Sequence, residues 1–340
     1  RDAMQAAIHS PMSQSERPKT IVTRTLPSQV EARRAELFDV EFNSDDVPMS
    51  ADQLKDAVAR AEVFVPTVTD TIDADLLNSA GPQLKLIANF GVGVDHIDLA
   101  AARANDIIVT NTPGVLTEDT ADMVMALIIS VPRRLAEGEK LVRAGEWQGW
   151  GPTGMLGHRV NGKKLGIIGM GRIGQAVARR ASGFGIKVDY HNRRRLPEAV
   201  EQTLQATWRD NLDDMLTDID ILSINCPYTA ETHHLLNEKR LGLLGSDVYV
   251  INAARGEIID EEALTDVLEK GAIAGAGLDV YENEPHIGER LLALENVVLL
   301  PHLGSATFEG REAMGDKVIA NIRIWADGHR PPDQVLEGWA

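Results

Sequence analysis

The chain has 340 residues, 44% of them hydrophobic and 25% charged, which suits about two domains and excludes both a disordered chain and a disulfide-built mini-protein. Its 51 acidic side chains against 34 basic ones give a net charge of −17, a field that repels nucleic acid and anionic membrane. The longest apolar run, 123–131, is too short for a bilayer, and the single cysteine, Cys226, permits no internal disulfide, so a cytoplasmic protein is expected.

Residues 1–11 show no sustained periodicity, and Met12 followed by Ser-Gln-Ser-Glu reads as a natural start. We therefore expect a non-native remnant over 1–11 and a loose terminus over 12–18. From residue 20 onward, short β-rich runs alternate with helical patterns. The runs at 20–25, 40–43, 63–66, 84–90 and 107–112 form a first set. Those at 165–170, 187–191, 219–226, 248–253, 275–281 and 297–302 form a second. Most are continuous apolar stretches, as in parallel strands covered on both faces. Helical patterns lie between them, for example at 51–61, 175–180 and 261–270. Thr117 is placed to cap a helix with Glu118 and Asp119 in its first turn, and Pro132 should break or restart it. The segment 145–162 is rich in Gly and Trp and has no period. The predicted fold is α/β, with two Rossmann-like doubly wound parallel-sheet domains and a cleft between them. The first domain is 12–115, completed by 306–340 through a helix over 307–325. The second is 116–305.

Gly169-Met170-Gly171-Arg172-Ile173-Gly174 stands between a predicted strand and a predicted helix, the context that gives G-x-G-x-x-G its meaning as a dinucleotide-binding turn. Where the next strand ends, an acidic residue would bind the ribose hydroxyls of NAD. Asp189 has nearly that count but lies inside the strand, and the loop position is the uncharged Asn192. Arg193, Arg194 and Arg195 follow, which favours NADP, with NAD as the other possibility. Gly91-Val92-Gly93 follows the strand 84–90 and can offer free amides to a carboxylate. Arg255, Glu284 and His302 stand at or just past the ends of three different strands of the second set, and parallel strands would deliver all three to one sheet edge. No metal site is expected.

Together these motifs resemble the D-2-hydroxyacid dehydrogenase family, from about Thr20 to the final helix. The resemblance rests on 91–96, 169–174, Ala254-Arg255-Gly256, 279–285 and Pro301-His302. Within the family the likeness is greatest to glyoxylate/hydroxypyruvate reductases, through Trp147-Gln-Gly-Trp150-Gly-Pro152, Tyr190-His-Asn-Arg-Arg194 and 300–306. The resemblance implies a catalytic triad of Arg255, Glu284 and His302, with Val92, Gly93, Arg255 and Trp150 on the substrate. For the cofactor it implies Gly169, Gly171, Arg172, Ile173, Gly174, Asn192, Arg193, Arg194, Cys226, Ala253, Asp279, His302 and Ser305. The expected activity is NADPH-dependent reduction of glyoxylate or hydroxypyruvate to the D-2-hydroxy acid, with His302 as general acid/base. The expected partners are that small 2-oxo acid and a second copy in a homodimer. Other D-2-oxoacid, formate or phosphite dehydrogenases of this fold, and a dinucleotide-sensing binding protein, are the alternatives.

Overall fold

The apolar runs become short parallel strands in the computed structural model of the chain, which describes residues 17–336. The expected remnant at 1–11 lies outside the described residues. Of the expected loose terminus only Arg17 and Pro18 are described, and Pro18 is buried. The described chain divides into two compact units, 17–116 with 307–336, and 117–306.

The first unit holds five strands: β1 (Lys19–Val22), β2 (Asp39–Glu41), β3 (Val63–Val65), β4 (Leu86–Ala88) and β5 (Ile108–Thr110). They pair in the order β2-β1-β3-β4-β5, every neighbour parallel. Alternate residues serve opposite faces. Ile21, Phe64, Ile87 and Val109 join one core with Leu54 and Val58 of the helix Ala51–Arg60. Val22, Val65 and Leu86 join another with Met314, Val318 and Ile322 of the helix Phe308–Ala326. Because both faces are covered, the strands read as unbroken apolar runs. The last helix is tied to the helix Ser28–Leu37 by an Arg33–Asp316 ion pair of 2.6 Å. Thr307 caps it, its side chain accepting from the Gly310 amide at 2.8 Å.

The second unit holds β6 (Lys164–Ile168), β7 (Lys187–His191), β8 (Ala206–Trp208), β9 (Ile221–Ile224), β10 (Tyr249–Asn252), β11 (Gly275–Leu278) and β12 (Val297–Leu299). The order is β12-β11-β10-β9-β6-β7-β8, again all parallel. Eleven of the twelve strands among the described residues are those predicted. The sequence reading missed β8, a three-residue edge strand with no apolar run, which forms only because β7 lies beside it. The predicted strands also ran too long: 219–226 contracts to Ile221–Ile224 and 297–302 to Val297–Leu299. Several of the residues past each ladder are still covered, so composition alone does not mark the strand's end.

The helix Thr117–Ser130 stops ahead of Pro132, and a new helix, Leu135–Arg143, begins after Arg134 at φ +56°. The first buries Ala121, Val124, Met125, Leu127 and Ile128, while the second buries no residue in its own unit. The 146–162 segment contains neither helix nor strand. Among the described residues no helix is long and apolar enough to cross a membrane.

Candidate active site

At the carboxyl end of β6 the chain passes through Gly169, Met170 and Gly171 into the helix Arg172–Gly183. Strand order reverses between β6 and β9, and open parallel sheets bind ligands at such a reversal. Gly169 has φ +92°, and a Cβ there would stand 2.4 Å from the Cys226 amide nitrogen. At Gly174 a Cβ would lie 2.3 Å from the Gly169 carbonyl oxygen. Glycine is required at both. Around Gly171, by contrast, nothing lies within 4 Å of the place a Cβ would occupy. The first amides of the helix have no partner within it, and its dipole favours an anion. This turn, with Arg172 exposed and Ile173 half-buried beside it, has the space and donors a dinucleotide pyrophosphate needs. Cys226 is half-buried, and burial pushes its thiol up to about 11, so it stands as an uncharged wall.

Asn192 ties the end of β7 to this turn, its Oδ1 accepting from the Met170 amide at 2.7 Å. Asp189 is 7% exposed and paired with Arg209 at 2.7 Å, so its carboxylate is already committed. The arginine run divides. Arg195 holds Glu201 with both Nε (3.0 Å) and Nη2 (2.7 Å). Arg193 and Arg194 are exposed and make no ion pair among the described residues, although the Glu231 carboxyl, lowered first by a hydrogen bond from Thr229, also feels the Arg193 charge.

Strands β10, β11 and β12 are adjacent and parallel, so the loops leaving them emerge at one edge. After β10, Asn252 donates to the Arg255 carbonyl (2.8 Å) and accepts from the Ala254 amide (3.0 Å), folding Ala253 and Arg255 into a tight turn. A Cβ on Gly256 would fall 1.9 Å from the Tyr281 carbonyl carbon. The Arg255 turn therefore lies directly on the backbone that leads to Glu284. Glu284 accepts from the Tyr281 amide at 3.1 Å through Oε1, and its Oε2 is 2.8 Å from His302 Nδ1.

His302 sits at φ +57°, a left-handed conformation that costs a non-glycine residue about 1–3 kcal/mol and persists only where its surroundings impose it. Here they do. Fully buried Asp279 accepts from the Leu303 (2.6 Å) and Gly304 (2.7 Å) amides. Tyr281 donates to the Leu300 carbonyl at 2.9 Å, and Thr120 to the Gly304 carbonyl at 3.1 Å. Ser305, half-buried, follows. Burial acts to raise Glu284, but the hydrogen bond and charge of His302, the Tyr281 amide and the Arg255 charge together outweigh it. The carboxyl lies below its ordinary 4.5 and stays ionised. At Asp279 burial wins, and that carboxyl is raised despite its two amide donors.

In the first unit, Val92 and Gly93 lie in the turn after β4. The Gly91 carbonyl accepts from Asn89 Nδ2 (3.1 Å) and the Thr112 amide (3.0 Å). The Val92 carbonyl accepts from Asn111 (2.8 Å), and the Gly93 carbonyl from Asn89 (2.9 Å). Three successive carbonyls are thus drawn into the body of the unit. The amides of Val92 and Gly93 donate to no backbone carbonyl among the described residues, a nest-like arrangement open to an acceptor. The sequence reading passed over Asn89 and Asn111. The signal was available: each is a polar residue near the end of an apolar run, and Asn89 proves to be 1% exposed, where a polar side chain has a bonding task.

Trp147 and Trp150 are 58% and 86% exposed, so neither indole is buried among the described residues. Leu135, Val142 and Leu156, from the same stretch, are also exposed.

At this sheet edge a carboxylate–imidazole contact and an arginine turn stand in the same unit as a glycine turn with open space beside it, side chains suited to a nucleotide-dependent oxidoreductase. Residues 125–304 match the D-isomer specific 2-hydroxyacid dehydrogenase family, NAD binding domain. The chain is 44% identical to glyoxylate reductase of Thermococcus litoralis over 323 residues, 94% of this chain and 97% of that one. Among solved structures, a glyoxylate reductase from Paecilomyes thermophila has a TM-score of 0.84 at 32% identity, covering 94% of this chain and 99% of that one. An NADPH-dependent glyoxylate/hydroxypyruvate reductase from Sinorhizobium meliloti, in complex with NADP and malonate, has a TM-score of 0.83 at 35% identity, covering 95% and 98%. The chain belongs to the D-isomer specific 2-hydroxyacid dehydrogenase family. It is an enzyme, and its chemistry is the reduction of 2-oxo acids.

Proposed function

We propose that the enzyme reduces glyoxylate and hydroxypyruvate to the D-2-hydroxy acid, preferring NADPH, with His302 as the general acid. The observation that carries this reading is the 2.8 Å Glu284–His302 contact at a strained backbone position, with the Arg255 turn seated beside it. The glycine turn with Asn192 and Cys226 beside it, and Ala253, Asp279 and Ser305 past the ends of β10, β11 and β12 of the same sheet, suit a dinucleotide. When bound, that cofactor supplies the hydride that adds to the substrate's carbonyl carbon. As the carbonyl electron pair moves onto oxygen, His302 delivers the proton that completes the hydroxyl. With Nδ1–H committed to Glu284, Nε2 is the nitrogen left for substrate, and a ring that donates from Nε2 is the imidazolium. The ionised Glu284 stabilises that cation. Arg255 binds the carboxylate and polarises the carbonyl, stabilising the oxygen as it gains charge. The nest at Val92 and Gly93, by its backbone amides, suits a carboxylate.

NADPH preference is supported by uncharged Asn192 and the exposed cations Arg193 and Arg194; each charge-assisted bond to a 2′-phosphate contributes about 1.5–3 kcal/mol. The reading includes a homodimer in which the loop bearing Trp150 reaches the second subunit and restricts larger substrates, supported by the exposed apolar residues of 135–156. It also includes a cytoplasmic location. A steady-state panel of glyoxylate, hydroxypyruvate, pyruvate and phenylpyruvate, each with NADH and NADPH, tests the proposal. The two small polar acids with NADPH should give the highest kcat/KM. Higher efficiency with NADH overturns the cofactor choice, and intact NADPH binding without turnover points to a dinucleotide sensor instead.

A further inference from the structure

The turn carrying the arginine run is tied at both ends. At its start, Asn192 is bonded to the Met170 amide. At its end, the Leu196 amide donates to the Tyr190 hydroxyl at 2.9 Å, and that hydroxyl donates to Glu201 Oε1 at 2.6 Å. Tyr190 is fully buried and Glu201 is 6% exposed, so both sit beneath the turn. Glu201 also takes both Nε and Nη2 of Arg195, whose guanidinium lies 5.7 Å from the ring centre of Trp208. Trp208 is the residue of β8 that pairs with Tyr190, so the short edge strand supplies the shelf beneath that cation.

Three consecutive arginines on an exposed turn repel one another and leave it free to move. Here the third is neutralised and pinned, and the backbone is bonded on either side of the other two. A turn already ordered loses little conformational freedom when a phosphate binds.

We propose that Tyr190 and Glu201 form a lock that withdraws Arg195 from cofactor binding and holds 192–196 in the shape that presents Arg193 and Arg194. Tyr190, Glu201 and Arg195 are then positioning residues for cofactor choice. The proposal rests on the NADPH reading above, since it assigns the 2′-phosphate to Arg193 and Arg194.

The test compares four full-length enzymes with wild type: Tyr190→Phe, Arg195→Met, their double variant, and Arg193→Ala with Arg194→Ala. Tyr190→Phe keeps the buried ring and removes only the hydroxyl. Arg195→Met alters an exposed side chain and so keeps the test intact if the tyrosine variant folds poorly. With either single variant we expect KM for NADPH to rise by about three- to tenfold, while KM for NADH and kcat stay within about twofold. Because both changes open one lock, the double variant should be little worse than either single variant. Equal rises for both cofactors, or no rise for NADPH, overturn the lock. Additive losses overturn it too, since Arg195 would then act on the phosphate by itself. If the Arg193→Ala, Arg194→Ala enzyme loses its NADPH preference while Tyr190→Phe is unshifted, the lock fails and the cofactor reading stands. If the arginine variant keeps its preference, the cofactor reading fails and the lock with it.

Discussion

Replacing His302 with asparagine separates its chemical task from its structural one. The backbone there is left-handed at φ +57°, which asparagine adopts more readily than most residues. The amides that fix the turn belong to Leu303 and Gly304 and bond to Asp279, so none is lost with the imidazole. An asparagine amide can also donate to Glu284, leaving that carboxylate a partner. Folding stability should therefore change little, by about 1 kcal/mol or less, since the variant avoids the usual causes of a large loss. The missing proton donor is a different matter. A positioned general acid contributes about two to four decades of rate, or roughly 2.7–5.5 kcal/mol at 1.36 kcal/mol per decade. Stopped-flow and steady-state assays on glyoxylate and hydroxypyruvate should show kcat reduced by that factor. NADPH affinity, followed by fluorescence titration, and Tm should stay close to wild type. Retention of more than about a third of wild-type kcat, against the loss a general acid predicts, refutes the role. A large fall in Tm would show that the imidazole itself holds the turn.

Asn89→Ala removes the donor to the Gly91 and Gly93 carbonyls and should raise KM for the 2-oxo acid by about tenfold, the worth of a hydrogen bond or two; unchanged KM would show that the nest does not hold substrate. Glu284 is depressed below 4.5, so its stabilising contribution is complete above 4.5 and is lost as pH falls through the lower folded-state value. The Tm gap between wild type and Glu284→Gln should accordingly narrow between pH 6 and pH 3.5, and a gap that widens would contradict the sign. Trp150→Ala should leave the Tm of a dissociated subunit unaltered, because the indole is 86% exposed there, but should weaken self-association by about tenfold or more if it is an interface anchor. Sedimentation over a concentration series reads this directly, and a wild type that is monomeric throughout refutes the dimer.

Local chemistry made much of this protein legible before any coordinates. Strands buried on both faces cannot alternate, so eleven short β-rich runs, most of them continuously apolar, announced a parallel α/β fold. Gly169 and Gly174 were readable because a strand-to-helix turn that presses one backbone against another admits no side chain at those points. Arg255, Glu284 and His302 were readable as residues at or just past the ends of three strands, since parallel strands share a carboxyl edge. Tertiary structure decided the rest. That Glu284 meets His302 Nδ1, and that Asp279 braces the loop beyond it, depends on β10, β11 and β12 being neighbours, which no local pattern encodes. The division of one arginine run into a pinned Arg195 and exposed Arg193 and Arg194 depends on Glu201 lying beneath the turn. The edge strand β8 exists only through its ladder with β7. Composition and periodicity report what a segment must bury; which groups then meet is set by contacts between segments far apart in the chain.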